Sequence, residues 1–313
     1  MKKIILLSIF IVSLFLIVGC GNGSGGGFGF GDRGSGDSSS SYFGGKTEGL
    51  VINFINLQPR DTIREGEEFT IGLDLINNGQ CDVIGEICVR DALSDVFGGV
   101  EDSCQEIELK AIENINGNIR KDSRKLFFRG NGYEDIQREL TTQIIAKATY
   151  GCEFISGPQL CVKPVVGEDE DICKSVEDIS GKNLKARNAP VTITKVHKEV
   201  FTELDGVRLL ATITLGKMSK GNLFSEDSSE NRGNSLFMRA VYEGFGEMEC
   251  DELEGNLLYW RADETSKIVQ CSLEIGEIDL LANPLDIELS YDYEISENKQ
   301  ITIKERFDSD RRF

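Results

Sequence analysis

Eight cysteines are spread through the body of this chain: Cys81, Cys88, Cys104, Cys152, Cys161, Cys173, Cys250 and Cys271. Their use limits every fold the chain can adopt. Each bridge removes conformations from the unfolded chain, and each free thiol is a reactive group. None of the eight falls in a CxxC, and His197 is the only histidine. A zinc site of the usual cysteine and histidine spacing is therefore not expected. A Cys–His nucleophile pair could form only through His197. That residue sits in the strand-like run Val191 to Val200 and reads as an ordinary surface histidine. In an exported chain, an even cysteine count reads as a disulfide framework.

The N-terminus bears on the compartment. Lys2 and Lys3 precede Ile4 to Val18, a run broken only by Ser8 and Ser13. Charge followed by an apolar stretch is the layout of a secretory signal. A permanent span needs about 20 apolar residues, so this run is short for one. It ends in Ile17-Val18-Gly19-Cys20, which resembles the lipobox of prokaryotic lipoproteins. The resemblance implies acylation of Cys20, cleavage just before it, and a lipid anchor on the extracytoplasmic face of the cell membrane. Residues 21–49 hold 12 of the 34 glycines and the run Ser38 to Ser41. Such a segment cannot bury enough apolar surface to offset its ordering entropy. It is expected to be a disordered tether with a root-mean-square reach of about 30 Å.

About 265 residues remain, a comfortable size for two domains. The net charge of −19 makes nucleic acid an unfavourable partner, because phosphates would be repelled. It suits solubility, cations or basic partners without choosing among them.

The two halves of the body resemble each other. Tyr150 and Glu153 recur as Tyr291 and Glu294, with Ser156 and Ser296 displaced by one position. Gln159 and Lys163 recur as Gln300 and Lys304 at the same offset. Leu50 to Phe54 and Val191 to Thr194 open the halves alike. Cys152 and Cys161 are replaced together by Tyr293 and Thr302, as a cross-strand pair would be. The repeat therefore predicts a Cys152–Cys161 bridge across the turn between the last two strands of the first half. Cys250 and Cys271, alone in the second half, are expected to pair. The other four allow three pairings, and Cys88–Cys104 with Cys81–Cys173 is the preferred one.

Phe69, Ile71, Leu73 and Leu75 alternate with Thr70, Gly72 and Asp74, the pattern of a half-buried strand. Asn77-Asn78-Gly79 ends it with turn chemistry. Further strands are predicted over 50–57, 84–90, 104–111, 124–129, 141–150 and 158–164. The second half offers 190–200, 207–216, 236–243, 256–261, 267–274, 286–294 and 299–305. The best short helix is Gly132 to Glu139, and Trp260 is a candidate core anchor. Seven short strands per half predict an all-β chain of two tandem immunoglobulin-like β-sandwich domains, 50–165 and 189–313, joined by a polar hinge at 166–188. The run Ile63 to Thr70, followed by the alternation and Asn77-Asn78-Gly79, resembles the opening of CARDB-type immunoglobulin-like domains of archaeal and bacterial surface proteins. That resemblance covers about 30 residues. The second half departs from it: Asp205-Gly206 replaces the entry turn, and 217–222 holds no Asn-x-Gly. It implies an adhesion or scaffold module and brings no catalytic residues.

Acidic clusters at Glu168 to Asp171 and Glu226 to Glu230 lack the ligand spacing of a calcium loop and read as solvated loops. No Gly-x-Ser-x-Gly elbow, phosphate loop or HExxH occurs. The expectation is a non-enzymatic, membrane-anchored surface protein without metal or cofactor, bound to the membrane by lipid and to a protein or surface polymer by its sandwiches. The alternative is an accessory or solute-binding subunit of a membrane complex, with a ligand pocket between the domains.

Overall fold

The computed structural model describes residues 49–116, 118–164, 173–224 and 234–306. All of them fall within one compact unit, Ser38–Phe313. It is an all-β sandwich fold. The first half carries β1 (Leu50–Phe54), β2 (Thr62–Arg64), β3 (Phe69–Asn77), β4 (Val83–Asp91), β5 (Ser103–Leu109), β6 (Glu113–Ile115), β7 (Asn118–Arg120), β8 (Ser123–Gly130), β9 (Leu140–Ser156) and β10 (Gln159–Val162). The second carries β11 (Val176–Ser180), β12 (Val191–Glu203), β13 (Gly206–Lys217), β14 (Asn222–Phe224), β15 (Asn234–Tyr242), β16 (Gly246–Glu247), β17 (Glu249–Cys250), β18 (Leu257–Trp260), β19 (Ser266–Ile275) and β20 (Leu281–Lys304).

Burial follows the period of two. In β9 every even-numbered residue from Thr142 to Ser156 is buried and no odd one is. Ile71, Leu73 and Leu75 are fully buried in β3, with Phe69 half-buried at its mouth. Gly132 to Glu139 forms no helix. Tyr133 there is fully buried and bridges Gly98, so tertiary packing overrides the local pattern. Among the described residues, the one α-helix is Ser94–Phe97.

The halves repeat one strand plan. In the first, β1-β3-β8 forms one layer and β9-β4-β5 runs in the other. In the second, β12-β13-β19 and β20-β15 with β18 on β15 do the same. Tyr150 Oη accepts from the Leu50 amide at 3.4 Å, and Tyr291 Oη accepts from the Val191 amide at 2.9 Å. Each tie joins a tyrosine to the first residue of a strand, β1 or β12, 100 positions earlier in both. The sequence repeat is thus a repeat of contacts.

A shared strand ladder joins the halves. β9 and then β10 pair antiparallel with β20 in one register, from Leu140↔Ile303 to Val162↔Leu281. This ladder fuses the two inner layers into a ten-stranded sheet. Gly151 faces Asp292 near its middle. The 24 residues of β20 extend about 80 Å. Between β9 and β10, Gly157 lets the chain hug its neighbour: a Cβ there would collide with the Leu285 carbonyl. Residues 173–188, part of the expected polar hinge, carry β11 and a 3-10 turn, Gly181–Leu184, instead. β11 pairs with β12 from Val176↔Glu199 to Ser180↔Lys195. Residues 166–172 lie outside the described ones.

Four bridges staple this frame: Cys81–Cys152, Cys88–Cys104, Cys161–Cys173 and Cys250–Cys271. Cys88–Cys104 and Cys250–Cys271 join residues directly opposite on paired strands, as expected. The expected Cys152–Cys161 and Cys81–Cys173 bridges do not form. No turn brings Cys152 back to Cys161. They lie on one continuous run, separated by roughly 30 Å and, at an odd spacing, directed to opposite faces. A bridge requires Cα atoms within about 7 Å. Cys152 instead meets Cys81, which leaves the Asn77 turn at its side; both are buried.

Candidate binding surface

Several residues singled out in the sequence lie outside the described ones: Cys20, the tether up to residue 48, and the acidic clusters Glu168 to Asp171 and Glu226 to Glu230. Trp260 is buried in β18 and donates from Nε1 to the Glu264 carbonyl at 2.9 Å, a core role. All eight body cysteines are in bridges, so none offers His197 a thiolate. Glu86 lies with Cys88 and Cys104, their ligand atoms within 4.8 Å of one another, but both sulfurs are committed to each other.

His197 is more than a bare surface residue. Its Nδ1 lies 2.6 Å from Asp178 Oδ1 on β11 and its Nε2 lies 2.9 Å from Glu199 Oε1. In its protonated form the ring donates from both nitrogens, one to each carboxylate. Its pKa is raised, first by the bond to Glu199 and then by that to Asp178. Lys195, and then His197, lower the pKa of Asp178. Both ring nitrogens are engaged by carboxylates. The ring pins β11 to β12.

Two buried ionisable groups are likewise structural. Lys198 has no exposed side-chain surface and donates to the Cys161 carbonyl at 2.8 Å, with Glu177 at 3.3 Å. Burial lowers its pKa against the pull of Glu177. Asp91 accepts from Tyr133 Oη at 2.5 Å and Thr142 Oγ1 at 2.6 Å. Burial first, and Asp91 second, push the Tyr133 phenol far above its usual value.

A surface open to a ligand lies elsewhere, at the end of the first half. After β1 the chain folds back over β3. The Ile55 amide donates to the Gly72 carbonyl at 2.8 Å, and the Gly72 amide to the Gln58 carbonyl at 3.0 Å. Gly72 permits this approach, since a Cβ there would strike Gln58 Oε1. The returning loop, Leu57 to Arg60, and the stretch Glu67 to Thr70 enclose a hollow of about 270 Å³. A second hollow, of about 430 Å³, lies between Glu68 to Thr70 and Phe127 to Arg129. Phe69 stands between them, stacked on Tyr133 at 5.7 Å. Phe127 is 52% exposed and Leu57 64%. Arg60 pairs with Glu67 at 3.2 Å and Arg129 with Glu68 at 2.8 Å. The acids at the rim are each tied to an arginine. The groove thus offers exposed apolar side chains beside two exposed ion pairs. One signal for it was present in the sequence. In the predicted strand 124–129, alternation that buries Leu126 and Phe128 turns Phe127 outward.

No protein-family model matches the chain, and no curated protein matches it.

Proposed function

We propose that this is a non-enzymatic, lipid-anchored cell-surface protein that presents its β-sandwich body for binding, adhesion or scaffolding. The observation that carries the reading is covalent. All eight body cysteines are joined in four bridges, which persist in oxidising, extracytoplasmic compartments. That agrees with the export signal and the lipobox-like Cys20. Among the described residues no helix is long and apolar enough to cross a membrane. The alternative, a solute-binding subunit, would need a ligand pocket between the halves. There β9 and β20 are hydrogen-bonded along their length, and both hollows described above lie in the first half.

Substituting Cys20→Ser tests the anchor. The parent is expected to incorporate labelled fatty acid and to enter the detergent phase. The variant should lose the label and leave the membrane fraction. A variant that stays membrane-bound and uncleaved would make Ile4 to Val18 a transmembrane anchor instead.

A further inference from the structure

Cys88–Cys104 is placed unlike the other bridges. Cys81, Cys152, Cys173 and Cys271 are buried, so each of the others has at least one cysteine in the core. Cys104 is exposed and Cys88 half-buried, on β5 at an edge of the ten-stranded sheet and on its neighbour β4. Two residues along, and so on the same face, Glu86 stands directly opposite Glu106. Both are exposed, and neither has an ion-pair partner among the described residues. Like charges set opposite each other weaken a strand pair, and a cation between them would relieve it. The ligand atoms of Glu86, Cys88 and Cys104 lie within 4.8 Å of one another. We propose that this is a redox-gated site for a thiophilic divalent cation of the zinc class. It is closed while the bridge is intact. Once reduced, it holds the ion between both thiolates and Glu86, with Glu106 as the fourth ligand.

A dithiol reductant opens the site by exchange. Its thiolate attacks the exposed Cys104 sulfur, the S–S bond breaks, and Cys88 leaves as a thiolate. The reductant's second thiol then displaces Cys104 and closes a disulfide of its own. Two electrons pass from the dithiol to the cystine, and the two dithiol protons pass to the cysteine thiols. Metal binding releases those protons to solvent as both thiolates coordinate. Zinc accepts sulfur and carboxylate oxygen in a tetrahedral shell, with each sulfur at about 2.3 Å. The two sulfurs then sit about 3.8 Å apart, a spacing that opposed Cβ atoms about 4.5–5.5 Å apart can supply. The strands therefore need not part. β4 also pairs with β9 on its other side, which keeps its ligands in place when the bridge is open. Lys147, opposite Cys88 on β9, is engaged by Glu294 at 3.0 Å and leaves Glu86 and Glu106 to the ion.

The test uses the full chain in detergent, without oxygen, and Co²⁺ as the probe. Dithiothreitol is raised in steps and removed before the metal is added. Alkylation followed by peptide mapping should show Cys88 and Cys104 reacting first, while the other bridges stay closed. The chain in that state should bind a single Co²⁺ with thiolate-to-cobalt absorption in the near ultraviolet, and Zn²⁺ should displace it. The oxidised parent should show no such bands. Glu86→Gln and Glu106→Gln should each weaken binding about tenfold or more, at least the cost of losing an outer-shell partner. Both variants keep the bridge when oxidised, so their melting midpoints report folding separately. Cys88→Ser/Cys104→Ser should show no bands at any dithiothreitol concentration. Opening of another bridge first, or free Cys88 and Cys104 thiols that give no cobalt bands, would overturn the proposal. Unchanged affinity in a folded Glu86→Gln variant would overturn the ligand set.

Discussion

The Tyr291 hydroxyl accepts from the Val191 amide and donates to the Val191 carbonyl, both at 2.9 Å. Val191 is fully buried, so Tyr291→Phe strands two backbone groups. The expected loss is about 2 kcal/mol of unfolding free energy in urea. Tyr150→Phe removes a single 3.4 Å contact and should cost less, about 1 kcal/mol or below. Equal losses would mean that the second tie is not the stronger one. Asn77 does comparable work at the Asn77-Asn78-Gly79 turn. Its side chain accepts from the Gly79 amide at 2.8 Å and donates to the Cys81 and Lys110 carbonyls at 2.9 and 3.0 Å. The turn was legible in the sequence. The long-range bond to Lys110 was not, because it depends on which strand ends return to that site. The pinning of β11 by His197 should depend on pH. A raised histidine pKa means stabilisation that is complete below the unfolded value near 6.5 and lost as pH rises through the folded value. The lowered Asp178 sets the other limit: its contribution fades as pH falls through its folded pKa. NMR titration of the His197 ring, with amide exchange at Val176 to Ser180, should show β11 loosening on the alkaline side. A ring that titrates at or below the ordinary value would refute the pinning role.

At the scale of elements, bridges and ladders hold one another in place. Cys81–Cys152 spans 71 positions and Cys161–Cys173 spans 12. In the chain-entropy picture their removal as Ser/Ser pairs costs about 4 and about 3 kcal/mol, respectively. Denaturation of the two double variants would check the order, and peptide mapping without reduction would check the pairs. A Cys152–Cys161 peptide would contradict the unbroken run of β9 into β10. The joint loss of Cys152 and Cys161 from the second half reflects two separate bridges. Cys81 and Cys173, their true partners, are not echoed there either: the second half has only Cys250 and Cys271. Local pattern identified most strands because each buries one face. It divided β20 into 286–294 and 299–305, since Glu297 and Asn298 interrupt the apolar alternation. Pairing with β9 carries the strand through this interruption.

For the whole molecule, the shared ladder sets what each half can do alone. Residues 189–306 produced by themselves would leave β20 without β9. They are expected to self-associate, a second β20 taking the place of β9. In the same register Asp292 would then face Asp292, a like-charge pair that weakens the contact. Light scattering should therefore show a concentration-dependent dimer, tightened by Asp292→Gly. A monomer with no tendency to associate would show that the uncovered edge of β20 does not recruit a second copy.

The strand period, the turn at Asn77 and the tyrosine offset were written in consecutive residues, where side-chain alternation and turn chemistry act over a few positions. They determined an all-β sandwich, its repeat and, at Cys88 and Cys250, bridges to cysteines nearby in sequence. The fused ten-stranded sheet, the Cys81–Cys152 bridge and the groove between Leu57 and Phe127 were decided only by tertiary structure. Each depends on which distant strand becomes a neighbour, and a strand that pairs at either edge carries the same alternation in both cases.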